Sequence, residues 1–251
     1  MPNPLVTADL ARWTEQTVAW LRRQVDEAGA RGTVFGLSGG VDSAVAAALC
    51  RQALGPNCLA LIMPCESDPA DAEDAALVAE TFDIPVRTVD LTPAYRSLLG
   101  TLPADADPGR LAMARANLKP RLRMVTLYYH ANALGYLVVG TGNRSELEVG
   151  YFTKHGDGAV DLLPLGGLLK REVWALARHL GVPERVVTRA PTAGLWTGQT
   201  DEGELGLTYE TIDRILAGEG GGAEAVTRVE SLRRAAAHKR ALPPVAPGLT
   251  P

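Results

Sequence analysis

Cysteine is scarce in this 251-residue chain: three thiols, Cys50, Cys58 and Cys65, with no CxxC pair among them. An odd count without ligand-like spacing argues against a disulfide framework and against a zinc site. Reduced, mostly buried thiols in a cytoplasmic protein are expected. Positive charge is also short. Lys and Arg number 25 against 29 Asp and Glu, a formal net charge of -4, so no global basic field gathers nucleic acid. No window offers the roughly 18 uncharged apolar residues a membrane span needs, and Met1-Pro2-Asn3-Pro4-Leu5 places no basic segment before an apolar core. The expectation is a soluble, unexported protein with no membrane partner. Internal repeats are absent and low complexity is confined to the Gly218–Gly222 run, so a single domain over 1–251 is expected, with a frayed tail from Ala241 to Pro251.

What is present is ordinary globular material, 46% hydrophobic and 22% charged, enough to bury a substantial core. Leu10, Trp13, Val18, Leu21 and Val25 recur at helical spacing and predict an amphipathic helix over about Asp9–Glu27. The apolar run Thr33-Val34-Phe35 reads as a buried strand and Cys58–Met63 as a second, with a helix from Val41 between them, which makes a βαβ unit. Ser67-Asp68-Pro69 predicts a helix cap before an alanine-rich helix to Phe82. Val86–Leu91 reads as a third strand, Gly100–Gly109 as a loop, and Arg110 to about Leu134 as a helix. Tyr136–Asn143 reads as a fourth strand running into a second glycine turn. Helices are expected over Lys170–Leu180, Thr208–Leu216 and Ala223 to about Arg240, with a long polar loop over Pro191–Glu204. The order predicts an α/β fold: an open, mostly parallel, Rossmann-like sheet with helices on both faces. Ligands bind outside the carboxyl ends of such strands, where both glycine turns lie.

The first turn, Gly36-Leu37-Ser38-Gly39-Gly40-Val41-Asp42-Ser43, carries the chemistry. It has neither GxGxxG nor GxxxxGK[ST]. Its glycines let backbone approach an anion, the following helix start adds unpaired N–H groups, and two hydroxyls can join them. Asp42 at the same turn suits a Mg²⁺ that bridges phosphates. This SGGxDS loop resembles the pyrophosphate loop of the ATP pyrophosphatases, which cleave ATP between its α and β phosphates and adenylylate a second substrate.

Further stretches narrow the resemblance: Asn117–Met124, Gly140-Thr141-Gly142-Asn143-Arg144-Ser145-Glu146, Phe152-Thr153-Lys154-His155-Gly156-Asp157, Asp161–Leu165 and Pro191-Thr192-Ala193. With the loop, in this order, they resemble the ammonia-dependent NAD⁺ synthetases over nearly the whole chain. That resemblance implies an adenine nucleotide alpha-hydrolase-like fold and ATP-dependent amidation of the nicotinate carboxylate of deamido-NAD⁺. It implies Asp42 and Glu146 as metal ligands, with these two and Lys170 as the catalytic set. Residues Gly36 to Ser43, Thr141, Lys170 and Thr192 would bind ATP. Arg121, Lys154, Asp161, His238 and Lys239 would bind deamido-NAD⁺, the last two reaching across a homodimer to complete the partner's site. On the residues alone, Glu146 reads as an acid favoured at a helix start, Lys170 as a solvated helix lysine, and His238-Lys239 as a surface charge run. Pro120 disfavours helix at Lys119 and loosens the placement of Arg121.

Two other functions share the loop. A tRNA-modifying enzyme would need a basic face, which the acidic balance opposes. A nucleotide sensor would bind ATP and form no AMP. Only about thirty residues precede the loop, too few for a glutaminase domain, so ammonia is expected to come from solution or from a separate protein. The two polar loops, Gly100–Gly109 and Pro191–Glu204, are expected to close over the adenylate and keep water out.

Overall fold

The computed structural model describes residues 7–103, 105–196 and 198–246; the amino-terminal stretch and the end of the tail read above lie outside them. Its centre is a four-stranded, all-parallel sheet in the order β3-β2-β1-β4, with β1 at Gly32–Gly36, β2 at Cys58–Ile62, β3 at Val86–Thr88 and β4 at Tyr136–Val139. In β1 and β2 successive side chains face opposite layers. Phe35, Ala60 and Ile62 point into the larger core with helices α1 (Thr7–Glu27), α2 (Val41–Leu54) and, further along the chain, Lys170–Leu180, while Val34, Leu59 and Leu61 point into a smaller one. The smaller core is covered by α4 (Thr92–Thr101) and α5 (Pro108–Leu134), while α3 (Pro69–Thr81) contributes to the larger one. Helices therefore cover both faces, as expected.

The remaining helices are α6 (Arg144–Val149), α7 (Lys170–Leu180), α8 (Glu184–Val187), α9 (Asp201–Leu205), α10 (Tyr209–Leu216) and α11 (Ala223–Ala235), followed by a 3₁₀ turn at Ala237–Lys239. No helix among the described residues is long and apolar enough to cross a membrane.

Four local expectations are corrected. The third strand ends at Thr88, because Asp90 turns the chain by accepting the Thr92 N–H at 2.9 Å, with Pro93 at the start of α4. Helix α4 then extends to Thr101 and α5 begins at Pro108, capped by Asp107, so the first polar loop is confined to 102–107. Pro120 does not break α5, which continues through it; the proline is buried where Gly156 leaves room for it. The second polar loop ends early as well, since Thr200 caps α9.

Candidate active site

Strands β1 and β4 are neighbours whose following turns enter α2 and α6, and a cleft of about 720 Å³ opens outside their carboxyl ends. The first turn is a tight glycine loop between β1 and α2. Gly39 has φ of +83°, and a Cβ there would run into the Asp71 carbonyl oxygen, so only glycine lets α3 pack against the loop. Ser38 and Ser43 face each other, Oγ to Oγ at 3.1 Å, and the Ser43 hydroxyl donates to the Gly40 carbonyl. Gly36, Leu37, Ser38, Gly40, Val41, Asp42 and Ser43 line the cleft, as do Thr141 and Thr192.

The two turns meet on one ammonium. Lys170, the first residue of α7 and only 2% exposed, donates from Nζ to Asp42 Oδ2 at 2.5 Å and to Glu146 Oε1 at 3.5 Å. Asp42 and Glu146 keep 16% of their side-chain surface. Burial opposes the charge on Lys170, but Asp42 and Glu146 outweigh it and hold the ammonium above its ordinary pKa. Burial first, and then the charge of Asp42, push the Glu146 carboxyl up to about 8. Glu146 serves twice. Its Oε2 accepts the Asn143 N–H at 3.1 Å in a capping box, while Oε1 faces Lys170.

Several residues here were given no role by the sequence. Asn143, fully buried, donates from Nδ2 to Asp42 Oδ1 at 2.8 Å, tying the second turn to the first; its N-x-x-E spacing was the available signal. Tyr209, also fully buried, lies with its ring 4.9 Å from Lys170 Nζ and its hydroxyl 3.0 Å from Asp201 Oδ2 and 3.4 Å from Glu146 Oε1. Asp201 lines the cleft with an unpartnered Oδ1, and burial raises its pKa. The floor thus sets three carboxylates against one ammonium. Oxygen donors crowded around a single ammonium suit a hard cation. Among the described residues, however, no three acidic, His or Cys side chains cluster as a metal site, so a substrate phosphate would have to complete the coordination.

The rim is looser. Arg121 donates to the Lys154 carbonyl at 3.3 Å and Lys154 Nζ to the His238 carbonyl at 2.8 Å. Lys239 donates to the Gly150 and Phe152 carbonyls, each at 2.8 Å. Lys239 lines the cleft of its own chain, where close packing of Ala236 on Gly150 brings it. Arg121, Lys154, Asp161 and His238 do not line the cleft wall. Asp161 spends its carboxylate on the Val138 N–H at 2.7 Å and the Tyr128 hydroxyl at 3.0 Å, pinning the loop to the strand end. Among the described residues of the two polar loops, only those of the second border the cleft. That loop is stitched down by Lys119 Nζ donating to the Leu195 carbonyl at 2.8 Å and by Gln199, which bonds both Leu195 N–H and Glu204.

The sequence model of the NAD synthase family matches residues 13–243. The chain belongs to the NAD synthase family. It is 53% identical over 234 residues to the NH(3)-dependent NAD(+) synthetase of Carboxydothermus hydrogenoformans, covering 92% of this chain and 96% of that one. Its fold is similar to the structure of NMN synthetase from Francisella tularensis, with a TM-score of 0.90, 39% identity and coverage of 94% and 98%. It is also similar to the NH3-dependent NAD synthetase from Campylobacter jejuni in complex with the nitrate ion, with a TM-score of 0.79, 28% identity and coverage of 95% and 99%. The NAD synthase chain therefore joins its two glycine turns through one buried lysine, and every other contact of the floor is built around that junction.

Proposed function

We propose that this member of the NAD synthase family is a carbon–nitrogen ligase that amidates the nicotinate carboxylate of deamido-NAD⁺ with ammonia, using ATP. A carboxylate oxygen attacks the α-phosphorus and pyrophosphate leaves. Ammonia then attacks the carbonyl carbon of the mixed anhydride, AMP leaves and a proton is lost. Activation is needed because ammonia cannot displace oxide from a carboxylate. The observation that carries this reading is the convergence of Asp42 and Glu146 on Lys170 at the ends of adjacent strands.

The Ser38–Ser43 loop would hold the pyrophosphate by backbone N–H groups and hydroxyls, with Thr141 and Thr192 flanking the nucleotide in the same cleft. Asp42 and Glu146 would hold Mg²⁺, which when bound supplies neutralising charge on the phosphates. Lys170 would offer its ammonium to the departing pyrophosphate. Arg121, Lys154, His238 and Lys239 would meet the anionic dinucleotide, with Asp161 shaping the same rim. Segment 191–204 would be the lid. The chain would work as one domain over 1–251, in the cytoplasm, its three cysteines free and buried. A homodimer is supported by Val125 and Tyr129, one turn apart on α5 and 60% and 70% exposed, which offer an apolar face to a second copy.

The test is formation of AMP and dinucleotide product from ATP, deamido-NAD⁺ and ammonium, with and without Mg²⁺, and with glutamine in place of ammonium. Product with ammonium and none with glutamine is expected; ATP bound with no AMP formed would favour the sensor. Because the fold is similar to an NMN synthetase at a TM-score of 0.90, the deamido mononucleotide belongs in the same assay. A larger kcat/KM for it would move the substrate to the mononucleotide.

A further inference from the structure

Asp213 is fully buried on α10 and lies outside the cleft lining, yet it bonds the chain neighbours of both Glu146 and Lys170. Its Oδ1 accepts the Ser145 hydroxyl at 2.5 Å, and its Oδ2 accepts the Arg171 N–H at 2.8 Å. Ser145 precedes Glu146 in α6. Arg171 follows Lys170 in α7. The Ser145 oxygen, also fully buried, in turn accepts the Lys170 N–H at 3.1 Å, so one carboxylate and one hydroxyl satisfy the first two N–H groups of α7. Leu169, at the cap position, makes no side-chain hydrogen bond to them. One turn before Asp213 on the same helix face, Tyr209 reaches the Glu146 carboxylate and lies beside the Lys170 ammonium.

A buried carboxylate is expensive unless fully hydrogen-bonded. A solvated cap would have served α7 alone, and the Ser145 link adds nothing to helix capping that a cleft-facing serine would not. The arrangement is accounted for if the separation of Glu146 from Lys170 is what must be held.

We propose that Asp213, acting through Ser145, is a positioning residue that sets Glu146 and Lys170 at their working separation. This rests on the floor reading given above. The relay makes a chemical demand that only a carboxylate meets. In Asp213→Asn the amide oxygen can still accept the Arg171 N–H, but the amide nitrogen then donates to Ser145. That hydroxyl now receives two N–H groups, and its own proton has no acceptor.

The experiment compares Asp213→Asn, Ser145→Ala, the double variant and Ile212→Val, a buried neighbour on α10 that packs in an apolar cluster with Val149, Leu205 and Val229. Readouts are kcat, KM for ATP, the Mg²⁺ concentration at half-maximal rate, and melting temperature. Asp213→Asn is expected to lower kcat by about 10- to 100-fold and to raise the Mg²⁺ requirement several-fold. Ser145→Ala is expected to move both in the same direction, and the double variant to fall within about twofold of Asp213→Asn. Ile212→Val loses melting temperature while kcat and the Mg²⁺ requirement stay at wild-type values. The proposal is overturned if folded Asp213→Asn keeps wild-type kcat and Mg²⁺ requirement, or if the effects of the two single variants multiply. Should Asp213→Asn fail to fold, Ser145→Ala carries the test, since it keeps the Arg171 bond; wild-type values there overturn the relay. Asp42→Asn in the same assay separates the two readings. If it is inactive while Asp213→Asn is at wild-type rate, the relay alone falls; if it is active, the floor and the relay fall together.

Discussion

On the floor of the cleft charges answer charges, whereas on the rim cations answer carbonyls. Asp42, Glu146 and Lys170 come from α2, α6 and α7 and meet at 2.5 and 3.5 Å, with Asn143 and Tyr209 filling the remaining contacts. Lys154 and Lys239 rest on the carbonyls of His238, Gly150 and Phe152. A carbonyl dipole orients an ammonium without cancelling its charge. The rim therefore presents whole positive charges to an arriving anion, while the floor is already assembled and needs little rearrangement to act. The floor should govern the rate and the rim the affinity.

The sharpest break of this contrast is Asp42→Asn. The amide keeps shape and the Asn143 contact but leaves Lys170 without its nearest counter-charge and would remove one of the two carboxylates proposed to hold Mg²⁺. Turnover should fall by about 10³-fold or more with the circular dichroism unchanged. A rate within tenfold of wild type would contradict the assignment.

Lys170→Met comes next, with two effects in one variant. Loss of the ammonium should lower kcat by about 100-fold. It also leaves Asp42 and Glu146 facing each other in a partly buried site, a destabilisation of up to about 3 kcal/mol. Urea unfolding measures the second effect independently of the first. An unchanged or raised midpoint would mean that Lys170 is not the counter-ion that holds the floor together.

A smaller effect is expected at the rim. Lys154→Ala should raise the KM for deamido-NAD⁺ by about tenfold with kcat within about twofold, the pattern of a contact made equally in ground and transition states. A fall in kcat at constant KM would move Lys154 from the rim to the chemistry.

The same contrast explains how much could be read in advance. Ser38–Ser43 is a contiguous motif, and its strand, turn and helix follow from local pattern, so the first half of the floor was legible. Glu146 read on its own as a helix-start acid, and that reading is also true, because Oε2 caps α6 while Oε1 faces Lys170. One side chain meets two demands, and only the tertiary fold displays the second. Lys170 looked like a solvated lysine because nothing local says that α7 begins beneath two carboxylates. Tyr209 and Asp213 showed only helical spacing, one turn apart on a short helix, and their partners lie 63 and 68 residues away. Pro120 misled in the other direction. A local rule predicted disruption, and burial of the ring within a 27-residue helix overrode it.

The smallest expected effect tests the layer beneath the floor. Cys50 lies on α2, the helix that Asp42 helps to start, and Cys58 on β2; both are buried, and burial pushes their thiols up to about 12 and about 11. A folded pKa above the unfolded value of about 9 means that the fold prefers the neutral thiol. Its stabilising contribution is full below pH 9 and is lost as the pH rises toward 11 to 12. At pH 8.5 the folded protein should resist iodoacetamide at both residues for hours, whereas the chain in guanidinium should react at the rate of a free thiol. The melting temperature should hold up to pH 9 and decline above it. Alkylation of Cys50 in the folded protein at the unfolded rate would show that the layer opens readily. In that case the rigidity of the floor would have to come from the Asp42–Lys170–Glu146 contacts themselves rather than from the sheet beneath them.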